Sequence, residues 1–189
     1  VIFNYTGGTI RNITGDFINN SGVAINNWNI IGNITGDFIN NYSNSDGGAI
    51  YNTGTVGNIT GDFINNSAST SGGAISNPGS IGDITGDFIN NSALTMRTTD
   101  GSSGSGGAIY ITNGKIGDIS GDFINNSAKR NGGAIFLNTP SSKGSIGNIT
   151  GNFINNSAGG SGGAILNYGT IGDVTGNFIN NSGSSGGAI

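Results

Sequence analysis

One phrase recurs along the whole chain and constrains the fold more than any other feature. The tetrapeptide FINN occurs seven times in 189 residues, at intervals of 21, 25, 25, 35, 30 and 25. Its phenylalanines are Phe17, Phe38, Phe63, Phe88, Phe123, Phe153 and Phe178. A second tetrapeptide, GGAI, alternates with it, beginning at Gly47, Gly72, Gly106, Gly132, Gly162 and Gly186. Self-similarity at a period of this kind is typical of stacked repeats that share one continuous core.

Apolar residues hold fixed places before each phenylalanine. An isoleucine or valine lies seven residues before it, another lies four before it, and a glycine always lies two before it. In GNITGDF, Ile59, Gly61 and Phe63 alternate with polar residues, which is the period of a strand with one buried face. We expect the glycine before phenylalanine to leave space for the ring, and the GG pair to form a corner with positive φ.

The repeat length decides how these strands are arranged. A unit of about 25 residues with two or three short strands cannot bury its own apolar face, so copies must stack. The sequence therefore predicts an all-β protein, a single-stranded right-handed parallel β-helix (β-solenoid) with about seven coils of ~25 residues. At ~4.8 Å per coil it would be roughly 33 Å long. We predict that residues 1–189 form one such array.

Equivalent residues of successive coils are expected to lie directly above one another. The phenylalanines then stack inside, and asparagines form ladders in which each amide bonds the next, as in cross-β structures. The predicted ladder at the turn after phenylalanine comprises Asn20, Asn41, Asn66, Asn91, Asn126, Asn156 and Asn181. A second asparagine column is predicted through Asn4, Asn52, Asn77, Asn138 and Asn167.

Length variation is confined to two places. Residues 92–105 form an insertion between FINN and GGAI, and residues 136–145 form a longer arm after GGAI. Confined insertions mark loops that leave a regular core. These two are either binding loops or tolerated insertions at a corner. Trp28 lies in the shortened second repeat, and the sequence identifies no partner for it.

Composition excludes several classes of function. The net charge is -4, and the six basic residues are scattered, so we predict no nucleic-acid partner. No apolar run approaches the ~20 residues of a direct membrane span. The chain has no Cys and therefore no disulfide. Because it also lacks His and Glu, we predict that it is not an enzyme and takes no cofactor, although two close Asp residues would suffice for a polysaccharide-acting solenoid.

Two polar columns are predicted on the outward face beside phenylalanine. A threonine array resembles the surface of ice-binding solenoids, although those typically show two columns, and the alternative is an ordinary solvated face. It comprises Thr14, Thr35, Thr60, Thr85, Ser120, Thr150 and Thr175. A carboxylate column comprises Asp16, Asp37, Asp62, Asp87 and Asp122, continued by Asn152 and Asn177. Bound Ca²⁺ would relieve carboxylate repulsion, but Asn replaces Asp freely, so no metal site is predicted.

The paired tetrapeptides resemble a known signature. GGAI and FxxN alternate in the polymorphic membrane proteins of chlamydiae, and here FINN supplies FxxN in all seven repeats while GGAI is present in six. The exception is GVAI at Gly22–Ile25. The chain looks like the passenger region of such a protein, or of a similar autotransporter adhesin. The resemblance implies an extracellular or bacterial cell-surface β-helix, attached to a translocator barrel and often adhesive, with a host or cell-surface receptor or glycan as its partner.

The two termini suggest a second class of function. Neither end has a polar cap, and the last GGAI joined to the first residues reads as a normal repeat. An uncapped solenoid exposes strand edges, so either a longer passenger continues the array or copies stack end to end into an extracellular filament. No signal peptide is apparent, as in a mature form or a fragment. We expect a surface stalk or adhesin, with a self-stacking filament, an ice-binding solenoid or a polysaccharide-acting solenoid as alternatives.

Overall fold

A computed structural model describes residues 1–95, 103–139 and 144–189, and in those ranges every regular element is a β-strand. Every strand pairing is parallel and joins equivalent residues of successive coils, as Phe63 with Phe88 and Ile64 with Ile89. The predicted all-β parallel solenoid is therefore confirmed. Four sheets, named A to D below, run along its length. Within the described residues no helix is long and apolar enough to cross a membrane.

Sheet A contains the strand that follows GGAI. The isoleucine that opens this strand points inward, as Ile50 does, and the glycine pair before it makes the predicted corner, with Gly72 at φ 68°. Its seven strands are Ile2–Asn4, Ile25–Asn27, Ile50–Asn52, Ile75–Asn77, Ile109–Thr112, Ile135–Asn138 and Ile165–Asn167.

Sheet B carries the two apolar residues that precede each phenylalanine. In the first two coils one strand holds both of them, Thr9–Thr14 and then Ile30–Thr35. In the later coils the strand is divided in two near a glycine. These shorter strands are Thr55–Val56, Ile59–Thr60, Ser80–Ile81, Ile84–Thr85, Lys115–Ile116, Ile119–Ser120, Ser145–Ile146, Ile149–Thr150, Thr170–Ile171 and Val174–Thr175.

Sheet C contributes a strand to every coil, and sheet D contributes one to five of them. Sheet C consists of Phe17–Ile18, Phe38–Ile39, Phe63–Ile64, Phe88–Ile89, Phe123–Ile124, Phe153–Ile154 and Phe178–Ile179. Sheet D consists of Tyr42–Ser43, Ser67–Ala68, Ser92–Ala93, Ser127–Ala128 and Ser157–Ala158. The predicted insertions 92–105 and 136–145 thus have strand residues at their N-terminal ends, in Ser92–Ala93 and Ile135–Asn138. Their parts 96–102 and 140–143 lie outside the described residues.

The core consists of the same layer laid down repeatedly. A typical coil buries one alanine and one isoleucine of GGAI, two further isoleucines or valines, and one phenylalanine. Ring centroids of successive phenylalanines lie 4.8 to 5.0 Å apart, with interplanar angles of 1 to 4°. This separation equals the distance between neighbouring strands, so sheet hydrogen bonding and ring stacking impose the same repeat.

Glycine is required two residues before phenylalanine for a different reason from the one predicted. Gly61 has φ 148°, and a Cβ there would overlap the carbonyl oxygen of Gly36 in the preceding coil. The same overlap with backbone recurs at Gly86 and Gly121. The glycine therefore allows close approach between the backbones of successive coils rather than making room for the ring.

The asparagine that ends FINN forms a buried ladder. Nδ2 of Asn66 donates to the Phe38 carbonyl at 2.7 Å and to Oδ1 of Asn91 at 3.1 Å. Its own Oδ1 accepts from the backbone N–H of Asn41 at 3.0 Å and from the Asn41 amide at 2.9 Å. The asparagine before it, Asn65, has φ 55°, and this left-handed turn recurs in every FINN. Asparagine tolerates that conformation better than most residues, which accounts for both asparagines of the motif.

The second asparagine column differs in part from the prediction. Asn27, which the prediction omitted, belongs to this column. Hydrogen bonds of 2.7 to 2.8 Å between side-chain amides connect Asn4 to Asn27, Asn27 to Asn52 and Asn52 to Asn77. The next places are taken by Ile111 and Leu137, before Asn167. Including Asn138 was wrong, because it pairs with Thr112 one position further along the strand. Counting two residues from the isoleucine of GGAI identifies the members correctly.

Candidate ligand-binding face on sheet A

Sheet A presents an outward column whose residue type changes from coil to coil. Its members, in register, are Phe3, Asn26, Tyr51, Ser76, Tyr110, Phe136 and Leu166. One outward column of sheet B, in contrast, is threonine in six coils and Ser120 in the other. Uniform positions serve the stacking that every coil needs. A varied outward position is where one coil differs from the next in the chemistry that it presents.

A cleft of about 310 Å³ opens at the centre of this column. Small Ser76 lies between Tyr51 and Tyr110, which are two strands, or ~10 Å, apart. The gap between the two tyrosines forms the cleft. The polar groups around it include Ser45, Asp46, Thr70, Ser76 and Thr112.

A second cleft, of about 210 Å³, lies on the other side of Tyr51. Here the small residue of the column is Asn26, which separates Phe3 from Tyr51. Ser45, Asp46 and Tyr51 line both clefts. Tyr51 is therefore a wall between two adjacent clefts that share one carboxylate.

Hydrogen bonds hold the shared carboxylate in place. Oδ1 of Asp46 accepts from the Thr70 hydroxyl and from the backbone N–H of Ser71, the latter at 2.9 Å. Burial, followed by the Asp46 charge, raises the pKa of Tyr51 above its ordinary value of 10.0. At neutral pH the Tyr51 hydroxyl is therefore protonated and is available as a donor.

Exposed aromatic rings form one end of the same face. Phe3, Tyr5 and Trp28 are 57%, 63% and 45% exposed, and their ring centroids lie 5.9 to 6.3 Å apart. The indole N–H of Trp28 donates to Oδ1 of Asn26 at 2.6 Å, which connects this cluster to the smaller cleft. Trp28, for which the sequence offered no partner, thus belongs to an exposed aromatic cluster.

Further along, the aromatic residues of this face cover one another. Tyr110 and Phe136 lie 5.7 Å apart, and Phe136 and Tyr168 lie 5.9 Å apart in an edge-on arrangement. Tyr110 and Phe136 are buried, whereas Tyr168 is exposed. Two large neighbours in the column therefore close the surface, and a small residue between large ones opens it.

The carboxylate column between sheets B and C has a structural role. The backbone N–H of Asp62 donates to Oδ1 of Asp37 at 2.9 Å, and that of Asp87 donates to Oδ1 of Asp62 at 2.8 Å. Asn152 occupies the same position in a later coil, and its backbone N–H donates to Oδ1 of Asp122 at 2.7 Å. Asp and Asn both supply this oxygen, so they exchange freely. The described residues contain no cluster of three or more His, Cys, Asp or Glu side chains that could hold a metal.

We expect Asp62→Asn to raise the free energy of unfolding by about 0.2–1 kcal/mol. The amide keeps the acceptor oxygen, removes a like charge from the column and adds a donor, as Asn177 does to Asn152 at 3.0 Å. Equilibrium denaturation checks this, with Asp62→Ala, which loses the acceptor, as the destabilised control. A less stable Asp62→Asn would mean that the column needs charge, as a bound cation would.

Sequence patterns did not single out this column as a site. They assigned individuality to residues 92–105 and 136–145, whereas the varied column lies one residue after the isoleucine of each GGAI. That signal was present, because Asn26, Tyr51, Ser76 and Tyr110 follow otherwise constant neighbours. The clefts themselves depend on which residues lie next to each other in successive coils.

Comparison with known families agrees with the motifs that build each layer. The family model of the Chlamydia polymorphic membrane protein (Chlamydia_PMP) repeat matches residues 61–78, 86–112, 120–138 and 150–168. Every matched stretch contains one FINN and one GGAI, the sources of the stacked phenylalanine and the sheet A strand. No curated protein and no solved structure matches the chain significantly. The chain therefore carries four repeats of the Chlamydia polymorphic membrane protein type.

Proposed function

We propose that this solenoid is the surface-exposed, adhesive part of an extracellular or bacterial cell-surface protein, and that sheet A recognises a receptor or glycan on another cell. The repeat type and the parallel solenoid fit a surface-exposed repeat protein. The observation that carries the adhesive role is the varied outward column of sheet A with its two clefts.

The physical character of sheet A supports recognition. Exposed aromatic clusters on soluble proteins mark interaction sites, and aromatic residues dominate the energetics of interfaces. Phe3, Tyr5 and Trp28 form such a cluster beside concave polar clefts. Sheet B has two outward columns. One repeats a hydroxyl, as at Thr60, and the other varies, with Ile30 and Lys115 among its members. Neither column contains an aromatic residue, so this face suits solvent better than a specific contact.

The composition of the larger cleft favours binding without catalysis. Hydrolysis of a glycosidic bond normally uses two carboxyl groups, one as acid and one as base or nucleophile. Among the described residues that line the larger cleft, Asp46 is the single carboxylate, and Thr70 and Ser71 already bond its Oδ1. We therefore propose that the protein presents a ligand-binding surface and is not an enzyme.

Attachment of coated beads to cultured epithelial cells tests the adhesive proposal. We expect Trp28→Ala combined with Tyr51→Ala to reduce attachment roughly tenfold, since buried or stacking aromatic residues commonly contribute more than ~1.4 kcal/mol to an interface. The matched control, Thr35→Ala combined with Thr60→Ala, changes the outward face of sheet B in the same two coils and should attach as the unmodified chain does. Wild-type beads that do not attach, or equal losses in both double variants, would contradict the proposal.

A further inference from the structure

We propose that the two clefts beside Tyr51 bind consecutive rings of a neutral oligosaccharide. The inference rests on the proposed function, because it names the ligand class of the same face. Asp46 and Tyr51, which line both clefts, would contact both rings.

The arrangement of the clefts points to a ligand built of linked units. Asn26 and Ser76 lie on either side of Tyr51 in the column, two strands or ~10 Å apart. A ligand that fills one cleft contacts the shared wall of the other. A chain of rings running along the solenoid axis can therefore occupy both clefts at once, and a single ring cannot.

The lining chemistry matches a ligand rich in hydroxyl groups. The larger cleft is lined by the hydroxyls of Ser45, Ser76 and Thr112, which can donate and accept, and by that of Thr70, whose proton Asp46 accepts. The tyrosine rings on either side add apolar surface against which the C–H face of a sugar ring packs. An apolar ligand would bury the hydroxyl groups of Ser45, Ser76 and Thr112 without giving them a partner, at a cost of about 1–3 kcal/mol each.

Charge selects a neutral ligand over an acidic one. Asp46 is the carboxylate shared by both clefts, and none of the described residues lining them is Lys or Arg. The chain as a whole carries a net charge of -4. A sialylated or sulfated sugar would bring a second negative charge towards Asp46 with no cation to pair with it. A neutral sugar instead offers hydroxyl groups that donate hydrogen bonds to the Asp46 carboxylate.

The Ser76→Tyr variant tests the cleft without disturbing the fold. A tyrosine at this place continues the aromatic column between Tyr51 and Tyr110, as Phe136 continues it beyond Tyr110. Aromatic residues are well accepted in strands, so the free energy of unfolding should be retained or raised while the larger cleft is filled. Ser120→Tyr is the matched control, because it adds the same ring to the outward face of sheet B, in the threonine column.

The experiment uses a glycan array printed with neutral oligosaccharides of two to five rings, the corresponding single sugars, and sialylated and sulfated counterparts. We expect the chain to bind neutral oligosaccharides and to bind single sugars and acidic counterparts at least about tenfold more weakly. Titration calorimetry with the best neutral oligosaccharide should show at least about a tenfold loss for Ser76→Tyr and none for Ser120→Tyr.

The outcomes separate this inference from the adhesive proposal. If no neutral oligosaccharide binds, if only acidic glycans bind, or if Ser76→Tyr binds as the wild type does, the saccharide site is overturned. Bead attachment that depends on Trp28 and Tyr51, without any binding on the array, would leave adhesion standing through a protein receptor. Neutral oligosaccharide binding that Ser76→Tyr abolishes, without cell attachment, would support the saccharide site and reject adhesion.

Discussion

Phe63→Ala is expected to lower the free energy of unfolding by about 3–5 kcal/mol, the range for truncating a buried phenylalanine. Phe63 is fully buried, and its ring stacks on Phe38 and on Phe88, with centroids 4.8 Å away on either side. Strand hydrogen bonds hold the backbones of the three coils at the same spacing. The neighbouring rings therefore cannot close the gap, and the cavity remains.

Equilibrium denaturation measures the loss, and hydrogen exchange locates it. In a linear array each coil contacts only its neighbours, so faster exchange should centre on the coil of Phe63 and decline towards Phe153. Phe17→Ala is the control, because Phe17 is half-buried and stacks on Phe38 at 5.0 Å. It should cost clearly less than Phe63→Ala. Equal losses for the two variants would show that stacking between coils does not stabilise the core.

Asn66→Ala is expected to cost about 3 kcal/mol or more, through lost hydrogen bonding rather than lost volume. Truncation leaves the Phe38 carbonyl and the backbone N–H of Asn41 without their partner, in a place from which water is excluded. Each buried polar group left unsatisfied costs about 1–3 kcal/mol. Equilibrium denaturation again provides the measurement.

Two further variants isolate the role of the ladder. Asn58→Ala removes an exposed side chain whose Oδ1 accepts from the Asp83 backbone at 3.0 Å, and because water can replace it we expect a loss below about 1 kcal/mol. Asn66→Asp keeps the oxygen but removes both amide donors. Burial should raise the pKa of that carboxyl, so its destabilisation should be large at neutral pH and become smaller as the pH falls. Equal costs for Asn66→Ala and Asn58→Ala would contradict the ladder's contribution.

The sequence predicts the interior of this fold well because registry between coils repeats the same side chains. The alternation around Phe63 and the constant place of Asn66 were enough to define inward and outward positions. The roles of Gly61 and Asp62 could not be deduced in this way. Both depend on the distance between the backbones of successive coils, which the spacing along the sequence does not reveal. The placing of Asn138 in the second column was wrong because it lies three residues after Ile135, whereas members of the column lie two residues after the isoleucine.

The candidate site was harder to predict for a physical reason. The recurring motifs define what every coil shares, whereas the clefts exist where Asn26 and Ser76 interrupt a run of aromatic residues. Each of these side chains is unremarkable in its own coil. Its consequence appears only when Phe3, Tyr51 and Tyr110 are placed in the neighbouring strands.

The repeated layer has a consequence for how such a protein changes over generations. Each coil offers the same upper and lower surface, since Phe63 meets Phe88 as Phe38 meets Phe63. A gene rearrangement that duplicates or deletes one whole unit therefore brings together coils whose facing surfaces already match. The reach of the molecule grows or shrinks in steps of ~4.8 Å. The outward residue of each new unit then mutates freely, so length and surface chemistry diversify while the architecture is inherited unchanged.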